Sequence, residues 1–379
     1  MSTSASHACA FALGLALLSG AAPPAAGGDA PAPAEVGGEG RASLYVRADS
    51  DRTTVISPRV RYRQSLRTPR RVLDVTYSLD AWSSASVDIR SAATGRVSEV
   101  RHEVEAGYVE EIGAGAIAAG YRLSYEPDYT SHAVHLRGQR DLLQRTLTLS
   151  ARLFGAVDQI GRAGDENFAE RALSGGALLS AGLVLTRTTL AVVAYELRGI
   201  AGYQASPYRY VALGGDGLCS ATAALCVPEE VPRLRARHAV VGQLRQAVGR
   251  WLALGGLYRF YADSWALRSH TLALAADSQP RPGVLVGLEY RAYAQSGASF
   301  YRARYPYPAP GLRFFTRDRE LSSLGNHRLA LRGAHRRALR RGRLEVGGLL
   351  AGSRLEYDDF VGLDEVYALE LSLSLGGAF

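Results

Sequence analysis

Hydrophobic and polar positions alternate with period two over long stretches of this chain. In the last segment Tyr367, Leu369, Leu371, Leu373, Leu375 and Phe379 share one parity, and Ala368, Glu370, Ser372 and Ser374 the other. Leu73, Val75, Tyr77, Leu79 and Ala81 alternate with Asp74, Thr76, Ser78 and Asp80, and Leu147, Leu149, Ala151 and Leu153 with Thr146, Thr148, Ser150 and Arg152. Successive side chains of a strand point to opposite faces, so the pattern predicts strands with one apolar and one polar face. Sixteen such strands fit, near residues 42–48, 54–64, 72–83, 97–109, 116–126, 131–138, 143–155, 173–185, 188–199, 236–247, 251–261, 265–277, 283–296, 321–334, 342–356 and 364–379.

Many of these strands reach about ten residues or more, long for a soluble sheet and suited to a tilted crossing of a hydrocarbon layer. After Arg41 no apolar run reaches the roughly eighteen residues of a membrane helix, so a bilayer would have to be crossed by strands. The expected fold is all-β, a transmembrane antiparallel up-and-down β-barrel of about sixteen strands. Fourteen to eighteen also fit, because the first pair is weak and Pro58 interrupts the second strand. An even count sets both termini on the periplasmic side. Counting back from Phe379, short turns at Gly138–Asp141, Thr186–Arg187 and Gln279–Gly283 then fall on that side. The long segments Gly155–Ala172, Gly199–Arg235 and Gly297–Glu320 fall outside, the asymmetry that such barrels show.

The first residues set the compartment. Ala8 to Leu18 is a small-residue apolar run, too short to span a bilayer as a helix, followed by Ser19-Gly20-Ala21-Ala22. This predicts a secretory signal over 1–22, although its n-region carries only His7. Residues 23–41 are rich in Ala, Pro and Gly and are expected to be a flexible leader, with one barrel domain over 42–379. The formal charge is +8, and all of the basic residues are Arg. They are spread singly along the chain, which argues against a nucleic-acid arm and for charges set along strands.

Once the signal is removed, with Cys9 inside it, Cys219 and Cys226 are the remaining cysteines. In an oxidising compartment they are expected to pair. Nothing in the sequence suggests a cofactor or metal site, since no haem, phosphate-loop or metal-binding His motif is present. If Leu252, Leu254, Tyr258 and Phe260 face lipid, then Arg259, Tyr261 and Asp263 face inward; on the next such strand Glu289, Arg291, Tyr293 and Gln295 do. These are the candidate lumen residues, either shaping selectivity or only solvating the wall. His270 has no place in this scheme, because Trp265 and Leu267 disagree in parity with Leu272 and Leu274. A bulge between them would reconcile the two. Phe300, Tyr301, Tyr305, Phe314 and Phe315 fall in one outer loop. They form either a constriction or ligand loop, or an ordered surface loop with its aromatics at the lipid interface. Ser264, Ser269, His270 and Asp263 supply the residue types of a hydrolase, but adjacent strand positions face opposite ways, so Ser269 and His270 cannot share a site.

Several motifs together carry a resemblance. These are Tyr258-Arg259-Phe260-Tyr261-Ala262-Asp263-Ser264-Trp265, Ser269-His270-Thr271, Tyr290-Arg291-Ala292-Tyr293-Ala294-Gln295-Ser296, Ser299-Phe300-Tyr301, Ser124-Tyr125-Glu126-Pro127-Asp128-Tyr129-Thr130-Ser131, Pro207-Tyr208-Arg209 and Pro232-Arg233-Leu234-Arg235. The chain resembles an uncharacterised bacterial outer-membrane β-barrel family, domain of unknown function 3570, from about Ser124 to the C-terminus. Pro127 and the first hundred residues depart from that pattern. The resemblance implies an outer-membrane barrel with no assigned substrate. Phe379, closing an alternating strand, also resembles the terminal insertion signal of such barrels.

The expected function is a porin-like channel or export conduit for anionic or polyhydroxylated solutes, polysaccharide export among them. The alternatives are a structural or surface-binding barrel plugged by its own loops and, as a minor reading, an outer-membrane hydrolase. Expected partners are outer-membrane lipid and lipopolysaccharide, the barrel-assembly machinery and an envelope export partner, with no nucleic acid.

Overall fold

The computed structural model describes residues 37–84 and 97–379, so the signal and most of the leader lie outside the described residues. The wall strands are β1 Gly38–Asp49, β2 Thr53–Leu66, β3 Thr68–Ser84, β4 Val97–Ile112, β5 Gly115–Glu126, β6 Tyr129–Leu142, β7 Leu147–Arg162, β8 Asp165–Thr186 and β9 Thr189–Gly202. A short hairpin outside the wall follows, β10 Tyr210–Leu213 and β11 Leu225–Pro228. The wall resumes with β12 Leu234–Val248, β13 Leu252–Asp263, β14 Arg268–Arg281, β15 Val284–Gln295, β16 Leu324–Ala338, β17 Arg343–Tyr357 and β18 Glu365–Ala378. Each strand pairs antiparallel with its neighbours, and β1 closes on β18 from Glu39↔Ala378 to Asp49↔Ala368. Closure gives each wall strand a partner on both sides, which a lipid environment requires of backbone polar groups.

At the end holding both termini, one to four residues join the strands. Pro282-Gly283 is one such turn: Gly283 has φ 79°, and a Cβ there would sit 2.4 Å from the Arg336 carbonyl oxygen, so only glycine fits. Pro58 lies inside β2, and the register to β3 runs unshifted from Ile56↔Ala81 to Arg59↔Ser78 around it.

All sixteen expected strands are present, with four differences in extent. β1 begins at Gly38, inside the expected leader. β6 continues through Gly138 to Leu142, so the expected turn at Gly138–Asp141 lies instead at 143–146. The expected loop Gly155–Ala172 is mostly ladder, with Gly155↔Gly175 and Asp158↔Ala172 paired and the tip at 163–164. Above the hydrocarbon a strand needs no apolar face, so Asp158, Gln159, Glu166 and Glu170 broke the apolar pattern without breaking the strand. β14 starts at Arg268, which leaves Trp265 and Leu267 in the preceding turn.

The last point places His270. It faces outward, and its Nδ1 lies 2.7 Å from the Tyr258 hydroxyl. The shift in the β14–β15 register falls at Ser278/Arg281, so the bulge expected before Leu272 is absent. Among the described residues the Tyr258–His270 pair is one of five. Tyr77–His102, Tyr121–His132, Tyr195–His238 and Tyr290–His327 share its geometry at 2.7–2.9 Å. Each links the two strands of one outer hairpin on the lipid-facing side. Eight residues further down the same strands, on the same face, stand Glu110, Arg140, Gln246, Ser278 and His335. Between these limits the outward positions are uncharged, for example Leu329, Leu331 and Gly333 on β16. Eight residues at about 3.4 Å each, tilted by about 40°, span about 21 Å, close to the apolar band of an outer-membrane barrel.

Candidate functional site: a charged lumen under a folded cap

The inward face is polar and much of it is solvent-accessible. Arg259 is 30% exposed within it, 4.0 Å from Glu196 of β9, and its guanidinium lies 5.4 Å from the Tyr261 ring. Tyr261 Oη donates to Asp263 at 2.8 Å, and Asp263 also accepts from Arg235 at 2.5 and 2.8 Å. Arg328 of β16 stands between Glu289 at 3.6 Å and Glu370 of β18 at 2.8 Å, with Arg291 directly across from it on β15. Tyr293 Oη donates to Gln295 at 2.5 Å, and Gln295 Nε2 donates to the carbonyls of Glu320 and Ser322. The structure therefore separates the candidate lumen residues into two levels. Arg259, Glu289 and Arg291 line the wall, whereas Tyr261, Asp263, Tyr293 and Gln295 support what lies above. The remaining wall carries further arginine–carboxylate pairs, Arg61–Asp74, Arg101–Asp80, Arg245–Asp277 and Arg332–Asp277 among them.

Residues 203–233 and 296–323 fold together over the outer mouth. Leu213 bridges to Tyr305, and Glu230 to Phe315. Val211, Leu213 and Tyr305 form one small core, packed by Phe315; Ala205, Val231, Trp265, Leu267, Ala298 and Leu321 form another, packed by Phe300 and Tyr301. Phe314 lies against Phe300, with ring centroids 5.9 Å apart. The loop aromatics thus pack inside this cap, which overturns the placement at the lipid interface. Loop residues can satisfy their apolar surface against a second loop as well as against lipid, and the sequence holds no sign of which.

A buried ion cluster joins the two segments. Glu229 is 4% exposed. It accepts from the Ser206 backbone N–H at 2.7 Å, from the Thr316 hydroxyl at 2.5 Å and from Arg209 at 3.0 Å. Arg209 also meets Asp318 at 3.3 Å. Burial pushes the Glu229 carboxyl above the usual carboxylate range; Arg209 pulls it back and Asp318 pushes it up again. The cap is tied down around the rim. Tyr208 Oη donates to Asp128 and accepts from the Ala163 N–H at 2.6 Å. Arg319 donates to Asp51 at 2.8 Å, and Arg317 to the Val361 carbonyl at 3.3 Å. Trp265 stacks on Arg235 at 4.0 Å and donates to the Leu234 carbonyl. Cys219 and Cys226 form a disulfide in the cap, where Cys226 of β11 pairs with Ala212 of β10.

The hydrolase residues are not brought together. Ser269 is buried on the inner face and His270 lies on the outer face, while Asp263 is taken up by Arg235, Tyr261 and the backbone of Trp265 and Leu267. Among the described residues no cluster of His, Cys, Asp and Glu could hold a metal.

The sequence matches the family described as Protein of unknown function (DUF3570) over residues 6–336. The chain belongs to that family. No curated protein matches it. Among solved structures it is similar to a "Bacterial polysaccharide outer membrane secretin", with TM-score 0.53 and 9% identity over 90% of this chain and 98% of that one. It is also similar to CdiB from Acinetobacter baumannii, with TM-score 0.49 and 10% identity over 89% and 60% of the two chains. A third similar structure is OccD3 from Pseudomonas aeruginosa, with TM-score 0.46 and 10% identity over 90% of each. At these identities the likeness is one of fold, and the fold is that of outer-membrane barrels.

Proposed function

We propose that this DUF3570 member is an outer-membrane conduit for polyhydroxylated or anionic solutes, polysaccharide chains among them, with an outer mouth covered by a cap of its own loops. The observation that carries this reading is the water-exposed inner wall of paired arginines and carboxylates with tyrosines among them. Sixteen strands leave room for an aqueous path. Fixed charges in pairs exchange hydrogen bonds with hydroxyl-rich solutes without a net field that would trap them. The similarity in fold to a polysaccharide secretin supports the saccharide variant by analogy only. Transport needs no covalent step, in keeping with the dispersed hydrolase residues.

Proteoliposome swelling tests the proposal. Vesicles holding the refolded chain should swell slowly in neutral or acidic oligosaccharides, and faster once Tyr208→Phe and Arg319→Ala release the cap. A second reading, a closed barrel whose cap binds a surface partner, is favoured by the ties that hold the cap to five neighbouring hairpins. Absence of swelling in both forms would support it.

A further inference from the structure

Arginines on this wall generally have a carboxylate within 4 Å, as Arg328 does although Arg291 stands across from it; the sector around Arg152 departs from that rule. Arg137 of β6 and Arg152 of β7 are direct cross-strand partners, both pointing into the lumen. Arg198 of β9 lies beyond Phe154, with its guanidinium 5.9 Å from that ring. None of the three makes an ion pair among the described residues. Arg137 donates to Gln139 at 3.1 Å and Arg198 to Ser174 at 3.3 Å, while Arg152 leaves a buried Nε without a hydrogen-bond partner. The charges acting on Arg152 are Glu105 and Glu196 against Arg122 and Arg137. Arg122 is already held by Glu103 at 3.4 Å and Glu196 lies 4.0 Å from Arg259, which leaves Glu105 as one carboxylate acting on this sector, set against the charges of Arg137, Arg152 and Arg198. Opposed like charges on neighbouring strands are destabilising. The sector therefore stores positive charge that a bound anion would relieve.

The floor of the sector is flat. His135 and Phe154 are cross-strand partners lying along the wall. Each ring occupies space that a neighbouring side chain would fill. A Cβ at Gly120 would come within 2.3 Å of the His135 ring, and one at Gly176 within 2.7 Å of Phe154. Two glycines thus make room for two rings, framed by Arg137 and Arg152 on the periplasmic side and by Arg198 towards the outer mouth.

We propose that Arg137, Arg152 and Arg198, with His135 and Phe154, form a binding site for an oxyanion carried on a sugar ring: a sulfate, phosphate or carboxylate. The guanidinium forks take the oxyanion. The rings offer an apolar surface to the face of the sugar. The site rests on the conduit reading and names its solute class, but binding is measured without conduction.

Calorimetric titration of the folded barrel in detergent tests it with three probes: a sulfated disaccharide, its unsulfated form and inorganic sulfate. Saturable binding of the sulfated disaccharide is expected, with at least a ten-fold preference over the unsulfated sugar. Arg137→Gln and Arg152→Gln should each weaken it at least ten-fold, Arg152→Lys less, and Arg61→Gln, from the ion-paired wall, not at all. Wild-type affinity in either Gln variant, or no binding by the wild-type barrel, would overturn the proposal. Equal molar affinity for inorganic sulfate would overturn its sugar component. A barrel that conducts without binding leaves the conduit standing and removes the site; one that binds without conducting does the reverse.

Discussion

Replacing Leu331 with arginine tests where the bilayer lies. Leu331 sits on the outer face of β16, 52% exposed, between Leu288 and Leu350 on the neighbouring strands. It stands four residues below His327 and four above His335. With about 3.4 Å per residue and a tilt of about 40°, each limit is about 10 Å away, which puts Leu331 at the middle of the band. An arginine at the midplane of an outer-membrane barrel costs about 2–4 kcal/mol, and one near the interface about 0–1 kcal/mol. Leu331→Arg should therefore destabilise the barrel by about 2–4 kcal/mol, and His335→Arg by less than about 1 kcal/mol. Reversible denaturant unfolding in lipid vesicles, followed by tryptophan fluorescence, measures both. Equal costs for the two variants would refute the placement of the band between the Tyr–His belt and the lower polar positions.

Three further outcomes follow from the cap and the belt. Cys219→Ser with Cys226→Ser opens an eight-residue loop and should lower the stability of the cap by about 2.5 kcal/mol on the loop-entropy estimate. Faster proteolysis of 203–233 with an unchanged barrel transition would show this. Because its carboxyl is raised by burial, Glu229 takes up a proton at higher pH in the folded cap than in the unfolded segment. The stability it contributes is complete below the ordinary Glu value of about 4.3 and is lost as pH rises through the raised value. Hydrogen exchange of the cap should accordingly quicken as pH rises through that window, after correction for intrinsic rates, and Glu229→Gln should flatten the dependence. Tyr258→Phe removes one belt hydrogen bond and should cost about 0.5–1.5 kcal/mol in the same vesicle assay.

The wall was legible in the sequence because a strand with lipid on one side and water on the other must alternate. Leu369, Leu371 and Leu373 against Glu370, Ser372 and Ser374 show this without ambiguity. The same rule failed where its cause ends. Above the membrane β7 and β8 continue with no apolar face, and Gly155–Ala172 looked like a loop. The cap was illegible for a different reason. Arg209, Glu229, Thr316 and Asp318 come from segments about ninety residues apart and follow no period. The belt carried an overlooked signal: each of its histidines is followed two residues later by Val or Leu, as in His132-Ala133-Val134 and His327-Arg328-Leu329. Of the arginines of the proposed anion site, the alternation placed Arg152 on the polar face. Their lack of carboxylate partners appears only when register sets Arg137 against Arg152.

Single-channel recording in a planar bilayer tests the central claim most directly, comparing the refolded wild-type chain with the Tyr208→Phe, Arg319→Ala variant. The account predicts rare, small openings for the wild type and frequent, larger steps for the variant. Silence from both chains, each shown by circular dichroism and heat-modifiable mobility to be a folded barrel, would contradict it.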